Sequence, residues 1–472
     1  MKFLSTSFIS TRGQAPEASF SDVLLAGLAP DGGLYLPVAW PQISAADIAA
    51  FKGARYQDAA FAILSRFTQG SFSDTELQGD IEAAYAGFDA PEIAPLIEIG
   101  KDQYLLELFH GPTLAFKDIA LQVLGRLFAR ALAKRGGRAT IVAATSGDTG
   151  SAAIAALGGL PNINVFVMHP KGRVSEVQRL QMTTSAHANV HNIALEGSFD
   201  DAQTIVKQLF ADTRFAKDVS LTAVNSINFA RIAAQAVYYF TATAALGRPC
   251  TFIVPTGNFG DIFAGEAASR MGLAVARLVI ATNSNDILAR TLNDGVYASG
   301  AVHTTLSPSM DIQVASNFER ALFEASGRDA DWTAAAMSDF ARDRRLALPA
   351  KVLAELRSRY SAVASNDDET RAAIAAVHAA TGRIIDPHTA VGCAAARKMG
   401  SGPGNGPPGP VVILSTAHPA KFPEAVTQAI GAPPPVPPRL AGLKDRTEKM
   451  EILPQNLSLI RSFISSRLAA CP

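Results

Sequence analysis

The sequence predicts an α/β protein whose strands pair mostly in parallel, behind a helical N-terminal layer. Short apolar stretches of strand length, such as Thr140–Ala144 and Thr251–Val254, alternate with stretches of helical periodicity, such as Leu114–Ala133. Parallel strands need crossover connections, and helices usually supply them, so this alternation is typical of α/β folds. The 472 residues are enough for about two to four domains of ordinary size.

The composition excludes several classes of protein. The 42 Lys and Arg balance the 42 Asp and Glu, so no global charge directs the chain to nucleic acid or to an anionic membrane. Cys250, Cys393 and Cys471 lie far apart, which argues against a disulfide scaffold and a cysteine-based metal site. No His, Asp or Glu cluster has metal-ligand spacing, so we predict no metal. With no signal peptide and no apolar stretch of membrane-spanning length, we expect a cytoplasmic protein.

The first ninety residues read mainly as short helices. Helical spacing of apolar residues occurs in Phe20–Leu28, Ala45–Phe51 and Ala59–Phe67, and the Gly- and Pro-containing segment Ala29–Pro37 is predicted to be a turn between them. Much later in the chain, Asp329–Ala380 is polar with helical spacing and carries no chemical motif. We predict that this segment is a peripheral helical excursion.

Three segments share one pattern, in which a short apolar strand runs into a polar loop that opens a helix. They are Ile141–Ala153, Phe252–Phe263 and Val411–Phe422. Such a loop directs backbone N–H groups and the positive end of a helix dipole into a crevice, which favours anion binding. One loop alone is an ordinary connection, but two glycine-rich examples in one chain favour a phosphate-bearing ligand. The glycine-rich Gly400–Pro410 instead precedes a strand and contains four prolines, so we interpret it as a flexible connection.

Lys117 is the single residue whose position most clearly indicates a chemical role. It lies in HGPTLAFKDIALQ, at or near the first turn of a predicted helix, where the helix dipole disfavours a cation. One interpretation is a surface lysine offset by Asp118. The other is a partly desolvated amine that forms a Schiff base with a carbonyl cofactor. A lysine of this kind together with phosphate-binding loops favours pyridoxal phosphate, because one ligand explains both features.

Six ordered segments carry a family resemblance: HGPTLAFKD, ATSGDTGSA, NSINFARI, PTGNFGD, SMDIQVASNFER and TAHPAKF. This series resembles that of the threonine synthases, which belong to the fold type II group of pyridoxal-phosphate enzymes. STRG at Ser10–Gly13 and GLAPDGGLYLP at Gly27–Pro37 match the same family. The resemblance covers roughly residues 8–425. It departs from the family pattern at Phe8, where a tyrosine is expected, and the tail beyond Pro433 adds nothing recognisable.

The resemblance implies two open twisted α/β domains plus a helical N-terminal domain. We expect the helical domain at residues 1–95. The large cofactor-binding domain is expected at 96–136 and 246–472, with the helical excursion at about 329–380. The small domain, which carries the loop for the substrate carboxylate, is expected at 137–245.

The resemblance also implies roles for single residues toward the cofactor. Lys117 holds pyridoxal phosphate as a Schiff base and moves protons at the substrate carbons. Thr416 matches the hydroxyl partner of the pyridine nitrogen, and Asp148 matches the position beside the phenolic oxygen. An aspartate facing a phenolate is repelled unless one of them is protonated. The residues that match the loop for the cofactor phosphate are Gly257, Asn258, Phe259, Gly260 and Asp261.

The implied substrate is O-phosphohomoserine. The implied reaction is its conversion with water into L-threonine and phosphate by γ-elimination and β-addition of water, the last step of threonine biosynthesis. The expected carboxylate-binding residues are Thr145, Ser146 and Thr149. The expected residues for the substrate phosphate are Asn225, Ser226 and Arg231.

Several alternatives stay open for these residues. Arg231 offers a planar fork for phosphate oxygens, but it could also snorkel from an apolar helix. Lys171 and Arg173 could supply positive charge or belong to a solvated turn. The histidines that lie in or beside motifs are assigned no catalytic part, and they are His110, His388 and His418.

Two other functions compete with this one. The nearer is a different fold type II lyase, such as a threonine or serine dehydratase or a phospho-lyase. The more distant is a protein without enzymatic activity that binds a phosphorylated metabolite through its glycine loops. In each case we expect a small-molecule partner, with neither nucleic acid nor membrane. The sequence leaves the oligomeric state, domain closure and regulation open.

Overall fold

The computed structural model describes residues 6–222, 226–400 and 407–469. In this part of the chain the strands are β1 (Phe8–Ser10), β2 (Tyr35–Pro37), β3 (Leu96–Gly100), β4 (Gln103–Glu107), β5 (Ala139–Ala144), β6 (Ile163–Pro170), β7 (Val190–Glu196), β8 (Leu221–Thr222), β9 (Cys250–Pro255), β10 (Val275–Thr282), β11 (Val296–Ala298), β12 (Arg345–Ala347), β13 (Tyr360–Ala364), β14 (Val411–Ser415) and β15 (Glu451–Pro454).

The helices of the same residues follow in chain order. They are α1 (Phe20–Ala26), α2 (Ala45–Ala50), α3 (Tyr56–Thr68), α4 (Asp74–Tyr85), α5 (Lys117–Lys134), α6 (Asp148–Leu157), α7 (Glu176–Thr183), α8 (Phe199–Ala211), α9 (Thr213–Asp218), α10 (Phe229–Leu246), α11 (Gly260–Arg270), α12 (Ile287–Asp294), α13 (Phe318–Ala325), α14 (Ala330–Asp343), α15 (Ala350–Arg359), α16 (Asp367–Thr381), α17 (Pro387–Gly400), α18 (Pro423–Ile430) and α19 (Leu457–Ala469).

Helices α1 to α4 form the N-terminal layer. The three helices predicted there are present as α1, α2 and α3, whereas α4 is an addition to the prediction. Its start carries a capping box of Ser73 and Glu76, a local sequence signal that could have indicated it. The segment Ala29–Pro37 is more than a turn, because it ends in β2, which pairs antiparallel with β1.

The larger sheet has six strands in the order β13-β10-β9-β14-β4-β3. Every pairing in it is parallel except that of β3 with β4 at one edge. The central strand β9 is buried along its whole length, as expected for a parallel strand covered by helices on both faces. The predicted helical excursion at 329–380 contains the helices α14 and α15 and most of α16, but also two strands that were not predicted, β12 and β13. Strand β13 is a short, half-buried edge strand between two helices and gives a weak signal of its own.

The smaller sheet has five parallel strands in the order β15-β7-β6-β5-β8. Strands β5 to β8 come from the segment predicted as the small domain. The expected division places residues 246–472 in the large domain, whereas the structure attaches the end of the chain to the small sheet through β15. The physical reason is the burial of apolar side chains, because Ile460 and Ile464 of α19 are fully buried in the core beside Leu209 and Phe215.

Both sheets direct the carboxyl ends of their strands toward one cleft. The loops after β9 and β14 belong to neighbouring strands of the larger sheet, and the loop after β5 approaches from the smaller one. This is where open α/β sheets generally bind ligands. In the described ranges, no helix is long and apolar enough to cross a lipid bilayer.

Helices α5 and α6 approach each other closely at Gly125. A Cβ atom built there would lie 2.6 Å from the carbonyl oxygen of Ala156, which is too close for any real side chain. The same two helices begin at Lys117 and Asp148, so this contact constrains the placement of the two helices that carry these cleft residues.

We expect Gly125→Ala to lower the free energy of unfolding by about 1–3 kcal/mol, because the added methyl group must displace backbone. Chemical denaturation of the purified protein measures this. Gly79→Ala is the matched control, since Gly79 is exposed in α4 and a Cβ atom built on it would meet nothing within 4 Å. Replacing a glycine inside a helix at an open site should stabilise by up to about 1 kcal/mol. Equal effects of the two substitutions would contradict the close packing of α5 on α6.

Candidate active site

Lys117 is the first residue of α5, as predicted. Its side chain is buried, and Nζ lies 3.3 Å from Oδ2 of Asp148 and 4.8 Å from the ring centroid of Phe116. Burial lowers the pKa of Lys117, and the nearby cations add to this effect while Asp148 opposes it. The alternative of a surface lysine offset by Asp118 is wrong, because the Asp118 carboxylate is itself buried and accepts from the N–H and hydroxyl of Thr113.

Asp148, the first residue of α6, accepts hydrogen bonds on both carboxylate oxygens. Oδ1 lies 2.8 Å from Nζ of Lys421 and 2.9 Å from Nε2 of Gln178. Oδ2 faces Nζ of Lys117 and the hydroxyl of Ser309, each at 3.3 Å. Burial alone would raise the pKa of Asp148, but the charges of Lys421 and Lys117 outweigh burial and hold this pKa well below its usual value. The carboxylate is therefore ionised.

Lys421 is a site residue that the sequence patterns did not indicate. It is 0% exposed, and its Nζ also donates to the carbonyl oxygen of Thr113 at 2.8 Å. Within its motif, TAHPAKF, only Thr416 is predicted to have a role. A lysine between Ala420 and Phe422 next to a proposed cofactor loop is the signal that could have found it, because lysines are rarely fully buried unless paired.

The loops before Lys117 and after β14 are joined by backbone hydrogen bonds. Ala115 and Ala417 form an antiparallel bridge, and the N–H of Phe116 donates to the carbonyl of Thr416 at 2.8 Å. Thr416 is buried and lines the cleft, and its own N–H donates to the hydroxyl of Thr389. These contacts hold the Thr416 hydroxyl on the same wall of the cleft as Lys117.

The loop 257–261 leads from β9 into α11, and close approach requires glycine at Gly257 and leaves little room for a side chain at Gly260. A Cβ at Gly257 would lie 2.8 Å from the carbonyl oxygen of Ser309, and one at Gly260 would lie 3.2 Å from Nδ2 of Asn317. Phe259 adopts a left-handed backbone conformation with φ of 64°, which is unusual for a side chain of this size. The loop places the N-terminus of an eleven-residue helix at the cleft, where it favours an anion.

Asp261 has a different task from its loop neighbours. Its Oδ1 accepts from the hydroxyls of Tyr238 and Tyr239, while Oδ2 has no partner among the described residues. Burial raises the pKa of Asp261 to about 6. The carboxylate therefore anchors the first turn of α11 to α10.

Arg231 is buried near the start of α10, so the alternative of a snorkelling side chain is wrong. Its Nε and Nη1 have no hydrogen-bond partner among the described residues. Burial lowers the pKa of Arg231 to about 10, which leaves it charged at neutral pH. A buried cation without partners is costly, and an anionic ligand would satisfy it. Ser226 lines the cleft beside Arg231, and Asn225 lies outside the described residues.

The three residues predicted to bind the substrate carboxylate lie in three different environments. Thr149 lines the cleft. Thr145 faces back into its own loop, where its hydroxyl oxygen accepts from the N–H groups of Gly147 and Gly150, each at 2.9 Å. Ser146 is exposed and does not line the cleft. The side chain of Thr145 thus shapes the loop.

The structure brings most of the predicted residues to one cleft. These are Lys117, Asp148, Thr149, Ser226, Arg231, Gly257, Asn258, Phe259, Gly260, Asp261 and Thr416. The lining residues that the sequence patterns did not indicate include Phe116, Gln235, Ser309, Met310 and His388. Lys171 lies outside the cleft, exposed and paired with Glu196, and Arg173 beside it is also exposed, as expected for a solvated turn.

His388 lines the cleft with both ring nitrogens engaged. Nδ1 lies 2.7 Å from a carboxylate oxygen of Asp386, and Nε2 accepts from the N–H of Ser309 at 3.2 Å. The ring thereby supports the segment that carries Ser309. Among residues 6–222, 226–400 and 407–469, no group of three or more His, Cys, Asp or Glu side chains is arranged to hold a metal ion.

The cleft fits pyridoxal phosphate. A buried amine of lowered pKa at Lys117 suits an aldehyde, and the glycine loop at the start of α11 suits a phosphate. The hydroxyl of Thr416 suits a ring nitrogen. Arg231 stays unsatisfied by the described part of the protein and leaves a second place for an anion.

Family models match most of the chain. One described as "Threonine synthase N terminus" matches residues 7–85, and one described as "Pyridoxal-phosphate dependent enzyme" matches residues 90–356. A third, described as "Threonine synthase, C-terminal", matches residues 389–464.

Relatives are similar over nearly the whole chain. A threonine synthase of Pseudomonas aeruginosa is 49% identical over 97% of this chain and 98% of its own length. A crystal structure of PLP-bound threonine synthase from Brucella melitensis has a TM-score of 0.95 and 49% identity, covering 98% of this chain and 99% of that one. The yeast threonine synthase structure has a TM-score of 0.93 and 36% identity, covering 99% of both chains. This chain therefore belongs to the threonine synthase family of pyridoxal-phosphate-dependent enzymes.

Proposed function

We propose that this protein converts O-phospho-L-homoserine and water into L-threonine and phosphate, as a carbon–oxygen lyase acting on a phosphate ester. The observation that carries the proposal is Arg231 in the same cleft as Lys117, because its buried Nε and Nη1 have no hydrogen-bond partner among the described residues. The cofactor phosphate has its own loop at the start of α11. A second anion site beside the reactive lysine therefore suits a substrate that carries a phosphate. The expected cytoplasmic location belongs to the same proposal.

Lys117 is proposed to hold the cofactor through Nζ and to move protons at the substrate carbons. When bound, pyridoxal phosphate supplies an electron-accepting ring that makes protons beside the amino-bearing carbon removable. The lowered pKa of Lys117 favours this work, because its amine gives up a proton more readily than an exposed lysine does. Its place at the start of α5, tied to the Thr416 loop by backbone, keeps Nζ fixed at the cleft.

The other residues bind and orient. Gly257 and Gly260 would let the loop backbone and the α11 N-terminus approach the cofactor phosphate, and the Thr416 hydroxyl would serve as the partner of its ring nitrogen. Thr149 and the backbone of its loop are proposed to bind the substrate carboxylate at the start of α6. Arg231 and Ser226 are proposed to bind the phosphate that leaves, so they both select the substrate and stabilise the departing charge.

The rival functions differ at Arg231. A threonine or serine dehydratase acts on a hydroxyl-bearing substrate and has no need of a buried cation for a second phosphate. A protein that only binds metabolites has no need of a buried lysine amine of lowered pKa. The arrangement of both residues in one cleft supports phosphohomoserine turnover over the dehydratase and over the non-enzymatic binding protein. A phospho-lyase would also use a cation for its substrate phosphate, so the identity of the product separates that rival.

We expect Lys117→Ala to abolish the visible absorbance of the bound cofactor and to lower phosphate release by at least about 10³-fold, because the attachment point and the base are lost together. Absorbance spectra and a phosphate-release assay, with threonine identified as product, measure both. Lys134→Ala is the matched control at the other end of α5, where the lysine pairs with Glu76 near the surface. Full turnover by Lys117→Ala would refute the proposed role.

We expect Arg231→Met to lower kcat/KM for O-phosphohomoserine by about 10²-fold or more, because a charge-assisted contact to the phosphate is removed. The visible absorbance should remain, since the cofactor phosphate is bound elsewhere. Steady-state kinetics measure the effect, with Arg173→Met as the control at an exposed arginine. Unchanged phosphohomoserine kinetics, together with turnover of threonine or serine, would favour the dehydratase instead.

A further inference from the structure

We propose that Lys421 is a positioning residue for the reaction: a buried counter-ion that keeps Asp148 as an oriented carboxylate and thereby sets the proton affinity of the Lys117 nitrogen. This inference rests on the proposed function of Lys117 as the cofactor lysine. It adds a second lysine, which acts on Asp148 and Lys117 through its charge.

The geometry separates the two lysines. Lys421 is 0% exposed and lies in a single 3₁₀ turn, Pro419–Lys421, behind the wall of the cleft. It does not line the cleft, whereas Lys117 and Asp148 do. Lys421 therefore has no access to substrate and reaches the chemistry through Asp148, to which its Nζ lies at 2.8 Å.

The contacts of Lys421 fix Asp148 in orientation as well as in charge. Its ammonium bridges Oδ1 of Asp148 and the carbonyl oxygen of Thr113, both at 2.8 Å, so the carboxylate is tied to the loop that precedes Lys117. Gln178 donates to the same oxygen. Oδ2 is thus left to face Nζ of Lys117 and the hydroxyl of Ser309.

The charge balance explains how an aspartate can lie beside the phenolic oxygen of the cofactor. An isolated carboxylate there would repel a phenolate or take up the proton itself. Lys421 brings one positive charge to the opposite oxygen, so the pair is neutral as a unit. The proton then stays with the Lys117 nitrogen and the cofactor, while Asp148 remains an acceptor.

Other charged groups act on the same region and are the same in every variant at position 421. The cation Arg231 lowers the pKa of Lys117 in the same direction as Lys421 does. The charge of Lys421 acts to lower the pKa values of Asp118 and His418, and the charge of Lys117 acts to lower the pKa of Asp261. Because these four groups are present in every variant at position 421, a difference between the variants arises from the change made at that position.

The test is the pH midpoint of the visible absorbance of the holoenzyme. Lys421→Gln keeps a donor for Asp148 and Thr113 but removes the charge. Losing a nearby positive charge makes the last proton at Lys117 and Asp148 harder to remove, so we expect the midpoint to rise by about one pH unit. Lys421→Arg keeps the charge and should stay near the wild-type value. Lys444→Gln is the control for overall charge, since Lys444 is exposed.

Asp148→Asn gives a second route to the same conclusion if Lys421→Gln does not fold. It removes the negative charge with little change of shape, so the midpoint should move in the opposite direction, to lower pH. A purely structural role for Lys421 would lower the melting temperature of the Gln variant and leave its midpoint unchanged. That result, or an unchanged midpoint in Asp148→Asn, would overturn the inference.

Reduction of the wild-type holoenzyme with borohydride, followed by peptide mass analysis, keeps the two proposals apart. Label on Lys117 supports the proposed function, and label on Lys421 or another lysine overturns it. With label on Lys117 and unshifted midpoints in the variants, the inference about Lys421 fails alone.

Discussion

The structure depends on one buried group of charges, in which Asp148 lies between Lys117 and Lys421. Removing these charges from water is costly, and close opposite charges together with satisfied hydrogen bonds offset that cost. Each member comes from a different loop or helix start, so the ion group also fixes how these parts meet. The ion group holds the loops of the two α/β sheets together. In this arrangement the amine of Lys117 is buried and fixed, and its pKa is lowered.

A second buried group of hydrogen bonds supports the side of the cleft where phosphate binding is proposed. Arg320, fully buried, donates to the carbonyl of Tyr35 in β2 and to the side chain of Asn317. Asn317 in turn donates to the carbonyls of Ser226 and Asn258, at 3.1 and 3.0 Å. The proposed substrate-phosphate and cofactor-phosphate segments therefore share one amide, which the N-terminal layer helps to support. This links a layer that carries no chemistry of its own to the geometry of the site.

Local sequence patterns predicted the secondary-structure elements better than they predicted which strands pair with one another. The α/β alternation, the place of Lys117 in the first turn of α5 and the strand–loop–helix segments are properties of apolar periodicity and glycine placement, which act within a few residues. Strand β13 and the attachment of β15 to the small sheet were not predictable in this way. Both are short edge strands whose partners are far away in sequence, and their stability comes from burial against those partners.

For the site, the sequence by itself determined which motifs carry chemistry: the lysine in the first turn of a helix, the glycine-containing loops that follow strands, and their family. Tertiary structure alone decided which charges face one another. Nothing within TAHPAKF says that Lys421 is fully buried against Asp148, or that Asp261 bonds to two tyrosines while Arg231 is left without partners among the described residues. Burial and electrostatic pairing depend on distances between residues far apart in the chain, and only the folded packing sets those distances.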